Sequence, residues 1–217
     1  MVWVKPQAER LVDTPGGRAR LIYNRPSRRI KATLVLGHGA GGGPDAMDLK
    51  ALADDLADYD IHVIRVEQPW HFAGKRIAPS PSVLDRAWEA ANDALRTRTP
   101  LVVGGRSAGA RVACRTARRL GAIGCVALAF PLHPPGKPGQ SRSAELRNAG
   151  VPTLVVQGER DPFGTPYEFP STVDMTIVPQ AVHDFTVPKR GDLTQDEALA
   201  LITEAVGEWI IRLVGAA

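Results

Sequence analysis

Short apolar runs recur along the chain, and longer stretches with a helical spacing of apolar residues separate them. Several runs are apolar at almost every position, which is typical of parallel strands that helices cover on both faces. These runs predict six strands, at residues 32–36, 61–66, 101–103, 123–130, 153–157 and 173–178.

The stretches between the runs predict four helices, at residues 45–59, 82–97, 108–120 and 195–213. The start of the last helix is marked by Thr194 and Glu197, which have the spacing of a capping box. Because strands and helices alternate, the predicted fold class is α/β, with a doubly wound, mostly parallel sheet. In such sheets the functional site lies beyond the carboxyl ends of the strands.

The N-terminal part has a different pattern. Residues 9–12 and 18–23 flank Thr14-Pro15-Gly16-Gly17, which predicts a β-hairpin at the edge of the sheet. The chain has no internal repeat and no long low-complexity linker. Its 217 residues are enough to bury a substantial core, so a single domain over residues 1–217 is expected.

Composition and charge exclude several classes of protein. The chain has 27 Lys+Arg against 23 Asp+Glu, and only residues 25–31 form a dense basic run, in a turn. We therefore expect no nucleic-acid partner. Residues 1–6 lack the apolar run of a signal peptide, and no stretch approaches the roughly 20 apolar residues of a membrane span. These observations predict a cytoplasmic protein without a membrane partner.

Cysteines and candidate metal ligands carry no recognisable motif. Cys114 and Cys125 fall in an apolar helix and an apolar strand, which predicts buried free thiols. His, Asp and Glu residues have no metal-ligand spacing, so neither a metal nor another cofactor is expected.

The strongest chemical motif is Gly105-Arg106-Ser107-Ala108-Gly109, which fits G-x-S-x-G between a predicted strand and a predicted helix. In that context the serine occupies a tight turn that raises its hydroxyl above the sheet. The glycines avoid side chains that would collide with neighbouring backbone. The alternative is a glycine-rich turn without chemistry, and the motif alone does not exclude it.

A nucleophilic hydroxyl needs a base, and the base needs an acid to orient it. His183 follows the last predicted strand, and Asp161 follows the strand before it. The order Ser107, Asp161, His183 is the one that α/β-hydrolases use. The predicted roles are nucleophile for Ser107, general base for His183 and orienting acid for Asp161. Glu159 is a rival acid, which strand alternation would direct elsewhere.

A second glycine-rich loop, residues 37–43, follows the first buried strand. Gly37, Gly39 and Gly42 fit G-x-G-x-x-G formally, and Glu67 could bind a ribose, which leaves a dinucleotide-binding domain as an alternative. However, Glu67 lies 30 residues beyond Gly37, where about 20 is usual. Pro44 also delays the helix until after the glycines.

The same loop has a different use in a hydrolase. The backbone N–H of Ala40 would join that of Ala108 to form an oxyanion hole, which stabilises the negative charge of a tetrahedral intermediate. His38 would shape this loop rather than act as a base.

Taken together, these motifs resemble small bacterial α/β-hydrolases of the dienelactone-hydrolase-like group, especially the branch related to testis-expressed and chromatin-complex hydrolase-fold proteins. Ser107 stands where dienelactone hydrolases carry cysteine, so lactone substrates are not implied. Some relatives serve in complexes, which leaves a catalytically silent interaction module as the alternative function. The matching stretches are residues 36–42, 104–111, 131–137, 156–162 and 183–185.

The segment 131–151 is too short for a cap domain, so we expect an open pocket for a small acyl substrate. Candidate substrate contacts are Trp70 and Phe72 as an apolar wall, Arg106 as a site for a carboxylate, and His133. A loop packed onto the sheet would explain the two aromatic residues equally well, and His133 would then fix its loop. The predicted function is a serine hydrolase for a small ester, thioester or amide, in an oligomeric state that the sequence leaves open.

Overall fold

The computed structural model describes residues 8–216, so the interpretation of residues 1–6 lies outside the described part. Its sheet has eight strands, which are β1 Ala8–Thr14, β2 Gly17–Asn24, β3 Ala32–Gly37, β4 Ile61–Glu67, β5 Leu101–Arg106, β6 Gly124–Leu128, β7 Thr153–Gly158 and β8 Asp174–Val178. Their order in the sheet is β1-β2-β4-β3-β5-β6-β7-β8. β1 and β2 form the predicted hairpin at the edge, β2 pairs antiparallel with β4, and the remaining pairs are parallel.

The helices are α1 Met47–Asp55, α2 Pro69–Phe72, α3 Pro81–Asp93, α4 Ala108–Thr116, α5 Ser143–Arg147 and α6 Gln195–Gly215. The helix predicted over 45–59 is shorter, because its last turn, Leu56–Tyr59, tightens to a 3-10 helix. The helix predicted over 82–97 also stops early, and Arg96 beyond it has a φ of 47°. The capping box of Thr194 and Glu197 is present.

Apolar side chains cover both faces of the sheet. Successive strand residues point to opposite faces, so Val103 packs with α3, α4 and α5 while Val102 packs with α1 and α6. Cys114 and Cys125 are buried free thiols with their Sγ atoms 3.8 Å apart, as predicted. The helices on both faces of the mostly parallel sheet confirm the doubly wound α/β class.

The connections place the functional loops at one end of the sheet. β3 lies between β4 and β5, so the chain leaves β3 towards one side of the sheet and later returns to the other. Such a switch point creates a crevice beyond the carboxyl ends of the strands. Between β6 and β7 the only helix is the five-residue α5, which confirms the absence of a cap domain.

Within residues 8–216, no helix combines the length and the apolar character that crossing a membrane requires. In the same part of the chain, no group of three or more His, Cys, Asp or Glu residues is arranged to hold a metal ion.

Candidate active site

Ser107 occupies a strained turn between β5 and α4, with φ 52° and ψ −110°. Its backbone N–H donates to the carbonyl of Leu128, 2.9 Å away, which ties the turn to β6. A Cβ at Gly105 would lie 2.5 Å from the carbonyl oxygen of Gly37, and one at Gly109 would lie 2.3 Å from the same atom. Both glycines are therefore required for the turn to pack against β3.

Ser107, His183 and Asp161 form one hydrogen-bonded chain. The Oγ of Ser107 lies 2.9 Å from Nε2 of His183, and Nδ1 of His183 lies 2.8 Å from Oδ2 of Asp161. An ionised carboxylate can only accept, so Nδ1 carries the proton and Nε2 is free to accept one from the serine hydroxyl. The structure thus brings together three residues that lie far apart in the sequence.

Asp161 is 1% exposed and has further hydrogen bonds. Its Oδ1 accepts from the backbone N–H of Phe163 at 2.8 Å, and its Oδ2 accepts from Nε2 of Gln157 at 2.9 Å. Gln157 also donates to the carbonyl of Gly164. Sequence analysis missed Gln157, although a polar residue at the end of an apolar strand was a usable signal.

The imidazole of His183 is also held by stacking. The ring of Phe163 lies 4.1 Å from it, centroid to centroid, at an interplanar angle of 31°. Phe163 is another residue that sequence analysis missed. Since Phe163 also donates its N–H to Asp161, one residue orients both the acid and the base.

The two neighbouring carboxylates point elsewhere. Oε2 of Glu159 accepts from the backbone N–H of Gln180 at 2.7 Å, and Oδ1 of Asp184 accepts from that of Thr186 at 3.0 Å. The direction that strand alternation predicted for Glu159 agrees with this position.

Loop 38–46, which we call the oxyanion loop after the role predicted for it, runs beside Ser107. A Cβ on Gly39 would lie 3.4 Å from the Cβ of Ser107, so the loop backbone contacts the serine directly, and Ala40 follows. The N–H of Ala108 is the first of α4 and has no acceptor within the helix. Phosphate binding by a glycine-rich loop would require the last glycine to lie at the start of a helix. α1 begins only at Met47, so none of the loop glycines meets this requirement.

His38 fixes the start of the oxyanion loop. Nδ1 of the buried ring lies 2.8 Å from the carbonyl oxygen of Gly39, and Nε2 lies 3.1 Å from the backbone nitrogen of Gln68. Burial lowers the pKa of His38. A neutral ring that donates from Nδ1 and accepts at Nε2 satisfies both contacts, so His38 shapes the loop as predicted.

Two further side chains that sequence analysis missed support the oxyanion loop. The buried Arg65 donates from Nη1 to the carbonyl of Pro44 at 2.8 Å. His71 packs against Gly43, and its Nδ1 lies 2.5 Å from Oε1 of Glu67. Glu67, the candidate ribose ligand of the dinucleotide alternative, is thus already paired.

The candidate substrate contacts occupy different surroundings. Trp70 is buried in the core, with its ring 5.5 Å from that of His38, and Phe72 lies beside the guanidinium of Arg20. The burial of Trp70 favours the packed-loop alternative, whereas Phe72 is 38% exposed and its role as a substrate contact stays a prediction. The side chain of Arg106 is only 13% exposed and lies near Asp48 rather than in open solvent.

His133 connects two loops at the site. Its backbone N–H donates to the carbonyl of Phe163 at 3.0 Å, and its Nε2 lies 2.9 Å from a carboxylate oxygen of Glu168. A hydrogen bond to the Pro134 carbonyl, and then the contact with Glu168, raise the pKa of His133 against the effect of burial. These contacts favour a loop-fixing role over substrate binding.

Comparisons with known proteins agree with this fold. Residues 30–211 match the family described as "Alpha/beta hydrolase domain". A lidless a/b serine hydrolase from Xanthomonas campestris is 18% identical, with a TM-score of 0.72 over 96% of this chain and 97% of the other. An alpha-beta serine hydrolase homologue from Coxiella burnetii is 16% identical, with a TM-score of 0.74 over 94% and 100%.

A dienelactone hydrolase from Anabaena variabilis is 15% identical, with a TM-score of 0.70 over 95% of this chain and 97% of the other. The search of curated proteins found no match. Since the family match covers most of the chain, the protein belongs to the family of alpha/beta hydrolase domains. At sequence identities this low, the similarity to the solved structures shows a shared fold and does not show a shared function.

Proposed function

We propose that this protein is a serine hydrolase that cleaves a small carboxylic ester, or a related thioester or amide, through a covalent acyl-enzyme. The observation that carries the proposal is the hydrogen-bonded chain from Ser107 through His183 to Asp161, with distances of 2.9 and 2.8 Å. Distances in this range are those over which a base takes a proton from a hydroxyl.

The first half of the reaction forms the acyl-enzyme. Oγ of Ser107 attacks the acyl carbon while Nε2 of His183 takes its proton, and the buried Asp161 stabilises the imidazolium. The N–H groups of Ala40 and Ala108 donate to the oxyanion that forms. His183 then returns the proton to the leaving alcohol, thiol or amine, and the bond between the acyl carbon and the leaving group breaks.

The second half uses water in place of the leaving group. His183 takes a proton from the water, whose oxygen attacks the acyl carbon, and the same two N–H groups stabilise the second oxyanion. When that intermediate collapses, His183 returns the proton to Oγ of Ser107. The products are a carboxylic acid and the free enzyme, and no step needs a metal or another cofactor.

A small substrate suits this site because the segment between β6 and β7, which holds only the five-residue α5, forms no cap domain over the crevice. The solved structure of Est1E from Butyrivibrio proteoclasticus with ferulic acid bound is 16% identical, with a TM-score of 0.72, so a related fold without close sequence similarity binds a small carboxylic acid. We extend that small-molecule substrate class to this chain as part of the proposal.

The test uses a fluorophosphonate probe and p-nitrophenyl acetate on the wild type, Ser107→Ala and, as a matched control, Ser82→Ala at an exposed serine. We expect labelling and turnover in the wild type and in Ser82→Ala, and neither in Ser107→Ala. A folded wild type that reacts with no serine probe would instead indicate the catalytically silent interaction module.

A further inference from the structure

A buried carboxylate that the proposed reaction does not use lies close to the candidate active site. Asp48 is the second residue of α1, directly after the oxyanion loop, and it is fully buried. Its Oδ1 lies 3.7 Å from Nη1 of Arg106, within ion-pair distance but too far for a hydrogen bond. Neither oxygen of Asp48 has a hydrogen bond of ordinary geometry within residues 8–216.

Arg106 connects this carboxylate to both sides of the site. It directly precedes Ser107, and a Cβ on Gly42 would lie 3.8 Å from its Nη1, so the guanidinium packs against the oxyanion loop. Its charge also acts on Asp184, the residue after His183. The charged groups that act on Asp48 are therefore Arg106, which favours its ionisation, and Asp184, which opposes it.

The ionised carboxylate of Asp48 lowers the free energy of unfolding. Burial raises the pKa of Asp48 from its ordinary 3.8 to about 6, although Arg106 lowers it in part. Because the folded pKa is above the unfolded one, Asp48 stabilises the fold fully at pH values below 3.8 and loses this contribution as the pH rises through about 6. At neutral pH an uncharged residue would suit the fold better, and strained or costly groups of this kind cluster at functional sites.

We propose that the Asp48–Arg106 ion pair positions the two halves of the oxyanion hole relative to each other. One half, the N–H of Ala108, follows the turn that begins at Arg106, and the other, the N–H of Ala40, belongs to the loop that directly precedes the helix of Asp48. The pair joins these two segments beside Ser107. The inference rests on the proposed hydrolase function and names Asp48 and Arg106 as positioning residues.

The variant Asp48→Asn tests the pair. We expect kcat to fall roughly 10- to 100-fold with little change in KM, because a small displacement of the donors weakens binding of the transition state more than that of the substrate. A trifluoromethyl ketone, whose adduct with Ser107 carries an oxyanion, should lose affinity by the same factor. The Tm at pH 7.5 should stay equal or rise, since the costly charge is gone.

Asp85→Asn is the matched control. Asp85 forms a partly buried pair with Arg115, Oδ1 to Nη2 2.6 Å, between α3 and α4 and away from the oxyanion loop. This variant should lower the Tm and leave kcat and the ketone affinity unchanged. If Asp48→Asn behaved in the same way, or if it lost stability together with kcat, the pair would be structural and the proposal would be wrong.

Dependence on pH gives a second readout. Asp48→Asn mimics the protonated form of Asp48, so kcat of the wild type should contain a component that falls as the pH drops through about 6, and this component should be missing in Asp48→Asn. The amide NMR signals of Ala40 and Gly42 should follow a titration near pH 6 in the wild type and lose it in Asp48→Asn.

The NMR measurement needs no turnover, so it separates the two proposals. A wild type without activity whose Ala40 and Gly42 signals still titrate with Asp48 would refute the hydrolase function and support the link between pair and loop. Amide signals that do not respond to Asp48 would overturn the positioning role, whatever the activity of the protein.

Discussion

Two loops meet at Ser107, and they are held in different ways. The loop that carries Asp161, residues 159–165, which we call the acid loop, is supported largely by residues near it in the sequence, because Gln157, Phe163 and Gly164 all lie within four residues of the acid. The oxyanion loop is instead held by residues from β4, from α2 and the position before it, and from β5, namely Arg65, Gln68, His71 and Arg106.

Chemistry also distinguishes the two loops. Neutral groups donate to both oxygens of Asp161 at ordinary hydrogen-bond distances, whereas ionisable side chains contact the oxyanion loop. Within the described residues, each network leaves a buried atom without a hydrogen-bond partner, Oε1 of Gln157 in the first and Nε of Arg106 in the second. The two loops therefore differ in the charge of the groups that support them. Through Asp48, whose pKa is raised by burial, we expect the support of the oxyanion loop to depend on pH.

The largest expected effect in this comparison comes from the acid loop. Asp161→Asn should slow turnover by about 10³- to 10⁴-fold with the fold retained, because the imidazole loses the partner that sets its tautomer. Steady-state kinetics with p-nitrophenyl acetate would measure this loss. Glu159→Gln is the matched control and should be close to wild type; if the two variants exchanged behaviours, Glu159 would be the acid.

A smaller effect is expected from the oxyanion loop. His38→Gln should reduce kcat by about 10- to 100-fold, because Gly39 loses the side chain that fixes it and the loop shifts by a fraction of an ångström. The free energy of unfolding should fall by about 1–3 kcal/mol, since buried polar groups lose their partners. Steady-state kinetics would measure kcat, and urea unfolding would measure the free energy of unfolding. An unchanged kcat would show that His38 does not support the loop.

The smallest effect should come from His133, which lies in the loop after β6 and contacts the acid loop through the carbonyl of Phe163. Because its pKa is raised, the protonated form stabilises the fold below the unfolded pKa, and this contribution is lost as the pH rises through the folded value. His133→Gln should remove that pH dependence and change stability by less than about 1 kcal/mol, since the partner Glu168 is exposed to solvent. Thermal unfolding between pH 5 and 8 would be the measurement, and a large loss of kcat at constant stability would indicate substrate binding instead.

The same contrast explains what the sequence could predict. The six parallel strands, the edge hairpin and the order of Ser107, Asp161 and His183 follow from local patterns, and the strands are present within a few residues of their predicted bounds. Arg65 and His71 could not be assigned, because nothing near them in the sequence marks a contact with Pro44 or Gly43. Their roles depend on the register between β4 and β3, which only the folded sheet fixes.

Trp70 and Phe72 show a choice that the sequence leaves open. An aromatic pair after a strand at the functional end of the sheet fits a substrate wall and a packed loop equally well; in the structure α2 turns Trp70 into the core and places Phe72, which is 38% exposed, beside Arg20. Which face of a four-residue helix is buried depends on its neighbours, and sequence periodicity over one turn cannot decide it.

The most direct test of the central claim is to trap the acyl-enzyme. Wild-type protein mixed with p-nitrophenyl acetate, quenched in acid within milliseconds and digested, would be analysed by mass spectrometry. We predict that one acetyl group is attached to the peptide that contains Ser107, at the serine oxygen, and that it disappears on longer incubation. Turnover without acetylation of Ser107, or acetylation at another residue, would contradict the proposed mechanism.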